Sequence, residues 1–298
     1  MANLKEVRER ISSVKNTQQI TKAMKMVSAA KLRRAQTAIQ QMRPYANKLN
    51  EMLRNILSNL EGDASSSFGV ERPVEKACVV VVTSNRGLCG GFNSGVIKEA
   101  VKAINEKYAE QRANGNLSIL LIGKKGRDYF TKRYQDVNLI EDHVLLFDDL
   151  SFDNVSKVSQ SLMDAFLEGG YDAVDVVYSG FKNAATQIPT AQQFLPVEKI
   201  EAEEGESSLK ADYIFEPSKE GLLEYLIPSI LQTQFQRYLL DTHAAEHGAR
   251  MTAMDKASEN AEELLRDLKI SYNKARQEAI TNEILEIVGG AAALEAGN

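Results

Sequence analysis

The chain has 298 residues, 43% of them hydrophobic and 26% charged, which is enough for one large or two small domains with a real core. It has no run of about 18 uncharged apolar residues, which excludes a membrane-spanning helix, and its N-terminus shows neither the apolar run of a secretory signal nor a transit-like leader. The net charge of −5 hides an asymmetry: residues 1–48 carry eleven lysines and arginines against only Glu6 and Glu9, so one basic arm is set to meet an acidic partner, a nucleic acid or an anionic surface.

The first 60 residues hold one proline, Pro44, and no glycine. Apolar residues recur at Leu32, Ala35, Ile39, Met42, Ala46, Leu49, Leu53, Ile56 and Leu60. Their steps alternate between three and four, the seven-residue repeat of a helix that supercoils with a partner. Upstream the stripe is expected to drift, through Leu4, Val7, Ile11 and Val14 to Ile20, Met24 and Val27. A helix of this length would extend about 85 Å, and the loop GDASSSFG at residues 62–69 ends it.

The middle of the chain changes period. KACVVVVT at 76–83, LSILLI at 117–122 and YDAVDVVY at 171–178 read as buried parallel strands. Helices are expected at 94–110 and 153–167, and residues 194–200 and 211–215 are candidates for edge strands around an acidic loop. Strands alternating with helices predict a parallel α/β sheet. From Ser218 to Val288 the helical period returns, with Pro228 expected to start or kink the helix and Met254, Ala257, Ala261, Leu264, Leu268, Ala275, Ala279, Ile280, Ile284 and Ile287 along the stripe. The fold class is therefore α/β: a long antiparallel coiled coil of the N- and C-terminal helices plus a parallel-sheet, Rossmann-like domain. The expected divisions are 1–61, 70–215 and 218–298.

Few residues carry a chemical signature. Cys78 and Cys89 lie in neither a metal-ligand nor a CxxC spacing and fit a reducing compartment. Gly87-Leu88-Cys89-Gly90-Gly91 stands between a strand and a helix, where a phosphate loop would sit, but lacks the spacing of either phosphate-binding fingerprint. The simpler reading is a tight turn. Gly123-Lys124-Lys125-Gly126 lacks the hydroxyl residue that would hold magnesium. His243-Ala244-Ala245-Glu246-His247 matches HxxEH, an inverted zinc-peptidase pattern, without a recognisable third ligand; surface histidines on a long helix are the plainer expectation. The segment from Lys22 to Ala35 is basic, rich in small residues and free of acids, which favours contact with an acidic protein surface.

Four segments, taken together and in order, resemble the γ subunit of the rotary F-type ATP synthase. They are ITKAMKMVSAAKLRRAQ (20–36), SNRGLCGGFN (84–93), EHGARMTAMDKASENA (246–261) and YNKARQEAITNEILEIV followed by GGAAAL (272–294). Asn85 stands where the family usually has aspartate. The resemblance implies a central rotor shaft that couples proton-driven turning of the membrane ring to ATP synthesis or hydrolysis in the α and β subunits, with no catalytic site, metal or cofactor of its own. Its implied partners are the α and β subunits of the catalytic head, the ε subunit and the ring of c subunits, with one copy per complex. The implied place is the cytoplasmic face of a bacterial plasma membrane. It further implies stator contacts through Met24, Lys25, Arg33, Arg34, Arg250, Arg276 and Gln277, and rotor-ring contacts through Tyr213 and Glu216. The alternative is a basic coiled-coil protein that binds nucleic acid or acts as a scaffold. Against it stand the lack of interleaved aromatics and an acidic C-terminal helix.

Overall fold

The computed structural model describes residues 4–58, 67–70, 72–197 and 219–296. Helix α1 spans Leu4–Ser58 and α6 spans Lys219–Ala296. Between them lie β1 (Ala77–Val82), α2 (Phe92–Lys107), α3 (Ala109–Ala113), β2 (Leu117–Ile122), α4 (Lys124–Arg133), β3 (Asn138–Ile140), α5 (Phe152–Leu167), β4 (Ala173–Phe181) and β5 (Gln187–Leu195). The chain divides into two compact units, residues 1–28 with 251–298, and residues 29–250.

The larger unit is built on one sheet in the order β3-β2-β1-β4-β5. β1 to β4 are parallel, and β5 runs antiparallel against β4. Every residue of β1 and β2 is buried, because helices cover both faces, as all-parallel strands require. One face packs α2 and α4 through Val96, Ala100, Ile104 and Phe130. The other packs α5, the start of α6 and the end of α1 through Leu162, Phe166, Leu231, Phe235, Leu49 and Leu53. The order reverses between β1 and β4, so the crevice for a ligand in such a sheet would open at their carboxyl ends. There the turns after β1 and β2 touch: a Cβ at Gly123 would lie 2.0 Å from the Thr83 carbonyl oxygen, so only glycine allows the approach.

Several expectations change. β5 makes the sheet mixed, and β3, α3 and α4 were not foreseen. Of the described residues 194–197, Phe194 and Leu195 belong to a strand; 198–200 and 211–215 lie outside the described residues. α6 begins before Pro228 and runs through it.

The stripe on α1 does not drift. In the smaller unit, Leu4, Val7, Ile11, Val14, Gln18, Thr21, Lys25 and Ser28 are buried or half-buried, an unbroken three-four alternation whose second half is polar, and Met24, expected in the stripe, is half-buried at its flank. Ile20 and Val27, expected in the stripe, are 60% and 57% exposed. On α6, Leu265 is half-buried and Leu264 exposed, so the facing stripe is Met254, Ser258, Ala261, Leu265, Leu268, Tyr272, Ala275 and Ala279. Thr21 pairs with Ser258, Lys25 with Asp255 and Arg8 with Tyr272. As one number climbs the other falls by nearly the same step, so the helices are antiparallel in this unit.

Candidate functional site

Two places gather the residues singled out above. The first is in the smaller unit. Thr21 Oγ1 and Ser258 Oγ lie 2.7 Å apart and buried, and each hydroxyl also donates or shares a proton with its own helix's carbonyls, to Gln18 and Met254. The Lys25 ammonium donates to Asp255 Oδ1 at 2.5 Å, with side chains 40% and 45% exposed. Met24 is half-buried beside it. On the same helix Ile20, Met26 and Val27 are exposed. Further along, Arg8 donates from Nη2 to the Tyr272 hydroxyl at 2.9 Å and lies over its ring, which holds the phenol pKa below its usual range. Arg276 and Gln277 are exposed on the next turn. Every described side chain from Ile280 to Ala291 is exposed, among them Ile284, Leu285, Ile287 and Val288.

The second place is in the larger unit, at the crevice between β1 and β4. The turn after β1 is clasped from within: Asn93 Oδ1 accepts from the Ser84 backbone N–H at 3.0 Å, and Asn93 Nδ2 donates to Cys89 Sγ at 3.1 Å. Burial pushes the Cys89 thiol up. Asn85 caps α4 by accepting from the Lys124 N–H, and its amide donates to Asp148. Leu88 adopts a left-handed conformation, φ 62°, and is 65% exposed. α6 lies in the mouth of this turn. Arg250, only 6% exposed, donates to the Arg86 and Gly87 carbonyls and pairs with Glu246 at 2.7 Å. Burial raises the Glu246 pKa against that pairing.

The histidines of the HxxEH pattern belong to this cluster rather than to the surface. His247 is buried and His243 half-buried. Because a guanidinium only donates, the 3.2 Å contact from Arg250 makes His247 Nδ1 an acceptor. The His247 proton is then on Nε2, directed at His243 Nε2 at 3.0 Å. Burial above all keeps both rings neutral, with pKa values lowered to about 4 for His243 and about 3 for His247. Among the described residues, no group of three or more His, Cys, Asp or Glu side chains could hold a metal ion.

The two places separate the expected contact residues. Met24, Lys25, Arg276 and Gln277 lie in the smaller unit; Arg33 and Arg34 are exposed on α1 in the larger one. Arg250, also expected as a contact, is 6% exposed in this chain, with its guanidinium bonded to the Arg86 and Gly87 carbonyls and to Glu246. Tyr213 and Glu216 lie outside the described residues. Sequence reasoning missed Thr21, Ser258 and Asp255. For Thr21 the signal was the unbroken three-four spacing, hidden by the more apolar Ile20 and Val27 next to it; Asp255 lies outside the stripe on α6 and had no such signal.

A family model described as ATP synthase matches residues 3–294. The ATP synthase gamma chain of Flavobacterium psychrophilum is 54% identical over 295 residues, covering 99% of this chain and 100% of its own. The chain belongs to the ATP synthase gamma chain family. The gamma chain of Cytophaga hutchinsonii is 53% identical with 99% of both chains covered. Among solved structures, a chain of the Euglena gracilis mitochondrial ATP synthase assembly of OSCP, F1 and c-ring matches with a TM-score of 0.67 at 25% identity, covering 99% of this chain and 95% of that one. A chain of the Tetrahymena thermophila central stalk and c-ring structure shares the fold, with a TM-score of 0.54 at 22% identity over 80% of this chain and 99% of that one. Among the described residues, no helix is long and apolar enough to cross a membrane.

Proposed function

We propose that the chain is the central rotor shaft of a proton-driven ATP synthase, coupling rotation of a membrane ring of c subunits to ATP synthesis or hydrolysis in a head of α and β subunits. The observation that carries this is the end of α6. Residues 280–291 form regular helix with every side chain exposed, and Ile280, Ile284, Leu285, Ile287 and Val288 among them. Such an apolar helix end calls for a sleeve supplied by other chains. The match to a chain of an F1 and c-ring assembly supports the same reading.

In this reading one copy serves each complex, the ε subunit binds alongside, and the assembly sits on the cytoplasmic face of a bacterial plasma membrane. Met24, Lys25, Arg33 and Arg34 meet the stator near the neck, Arg276 and Gln277 meet it from α6, and Tyr213 and Glu216 meet the rotor ring. The chain does no nucleotide chemistry itself: α6 fills the crevice where such a sheet would bind a ligand, with Arg250 in the loop mouth and Gly248 against Ala184, 3.1 Å from an added Cβ to that Cα.

Affinity purification of the tagged chain from its own cells tests the proposal. It should bring down α and β subunits in several-fold excess, with ATPase activity that the lone chain lacks. Recovery of the chain alone, or with nucleic acid, would reject it.

A further inference from the structure

We propose that the cleft between α1, the β4–β5 pair and α6 binds a small carboxylic acid with an apolar body, its carboxylate held by Arg237. The site stands apart from the rotor-shaft reading and does not depend on it.

The cleft lies within the larger unit and has a volume of about 290 Å³. Ala46, Leu49 and Ile230 are its apolar lining. Tyr178 and Tyr238 add two rings with centroids 4.4 Å apart. A cavity of about 150 Å³ holds benzene, so this one has room for a body of about a dozen non-hydrogen atoms. It is made by three separate elements, so an occupant would touch α1, the sheet and α6 at once.

The polar part of the lining is rich in donors and short of negative charge. Among the described residues that line the cleft none is a carboxylate, while Arg237 supplies a guanidinium and Asn50, Gln192 and Gln234 supply carboxamides. Tyr178 donates its hydroxyl proton to Gln192 Oε1 at 3.2 Å, which leaves the Gln192 Nε2 donors without a partner among the described residues. Arg237 is held loosely. Its Nε lies 3.7 Å from Asp241 Oδ2, beyond hydrogen-bond distance, so Asp241 steadies the guanidinium without saturating its five N–H groups. The Arg237 side chain is 66% exposed, and its planar fork matches a carboxylate with two parallel bonds. Phosphate would engage the fork but leave the apolar lining wet. A neutral body would fill the cleft but leave the fork unpaired. A carboxylate joined to an apolar body uses both.

The test uses the purified full chain and 4-phenylbutyrate, a carboxylate on a body of about the right size. Binding followed by ligand-observed NMR should saturate at one site with a dissociation constant at or below about 2 mM. Two controls take the halves apart: 4-phenylbutanol, which lacks the charge, and inorganic phosphate, which lacks the body. Each should bind at least about tenfold more weakly. At saturation the amides of residues 46–50 and 230–238 should exchange more slowly, which places the probe. R237Q should fold, because the side chain is mostly exposed, and should lose at least about tenfold in affinity, the loss of one charge-assisted pair. A46F, which puts a ring into the cleft, should abolish binding. Binding that never saturates, equal affinity for the acid and the alcohol, or phosphate bound as tightly as the acid overturns the proposal. So does R237Q affinity within about twofold of the parent, or slowed exchange confined to residues 4–34. Where R237Q does not fold, parent-like binding by A46F overturns it.

Discussion

Reversing the charge at Lys25 sets a glutamate against Asp255 across the helix pair. Both side chains are about two-fifths exposed, so the ion pair contributes no more than about 1 kcal/mol and the variant should fold. Because the same segment is read as the stator-facing neck, K25E should weaken coupling of hydrolysis to proton pumping more than it weakens assembly, and the swap K25E with D255K should restore part of the loss. Vesicle pumping per ATP measures both; a swap no better than K25E alone would move the effect entirely to the partner. Acid acts on a different cluster. His243 and His247 have folded pKa values lowered to about 4 and about 3, below the ordinary imidazole value, so the unfolded chain binds their protons first. Their contribution is complete above about pH 6.5 and is lost as pH falls toward 4, by about 1–3 kcal/mol. The raised Glu246 carboxyl works in the opposite sense. Thermal unfolding of the purified chain at pH 7 and pH 5 should show the fall, and H243Q with H247Q should flatten it. At Asn85, the amide both accepts from α4 and donates to Asp148. N85D would oppose two carboxylates and cost about 0.5 kcal/mol at this exposed site.

Among the elements, the helix pair and the central strands were legible in the sequence because they declare themselves by period. Leu32 to Leu53 kept its buried spacing, and the apolar runs at 77–82 and 117–122 became β1 and β2. What was not legible had weak or misleading composition. β3 has three residues, α4 starts with two lysines and a glycine, and β5 mixes glutamines with a proline, as edge strands tolerate. The neck misled for a sharper reason: Ile20 and Val27 outrank Thr21 and Ser28 in hydrophobicity, yet the polar residues face the partner helix. The Arg250 cluster was not legible because it joins positions 86–87 to 246–250, and no spacing rule spans that gap. The recovered alternation makes its own prediction. T21C with S258C should form a disulfide within one chain under mild oxidation, since the two hydroxyls are 2.7 Å apart, and should shift mobility on a non-reducing gel. I20C with S258C should not, because Ile20 points outward. The reverse result would restore the drifting stripe.

Over the whole molecule, the basic arm and the bare end of α6 ask for the same thing, a partner with acidic and apolar surface. A helix end is not kept regular to Ala296 by propensity alone, since helices in proteins draw most of their stability from packing of one face. Past Ala279 that face has nothing of this chain's described residues against it. Substituting the end separates what it does for folding from what it does in an assembly. I284E with V288E removes two exposed apolar side chains and should leave the thermal midpoint of the purified chain unchanged within the effect of about 0.5 kcal/mol. The same variant should reduce self-association of the lone chain at high concentration, read by light scattering, because the apolar patch is what two copies would share. In the complex it should slow ATP hydrolysis severalfold, since each turn would drag two carboxylates through an apolar sleeve. A lowered midpoint would mean that the end packs within its own chain. Unchanged turnover in an assembled complex would mean that the sleeve is wet, and that the bearing lies elsewhere on the shaft.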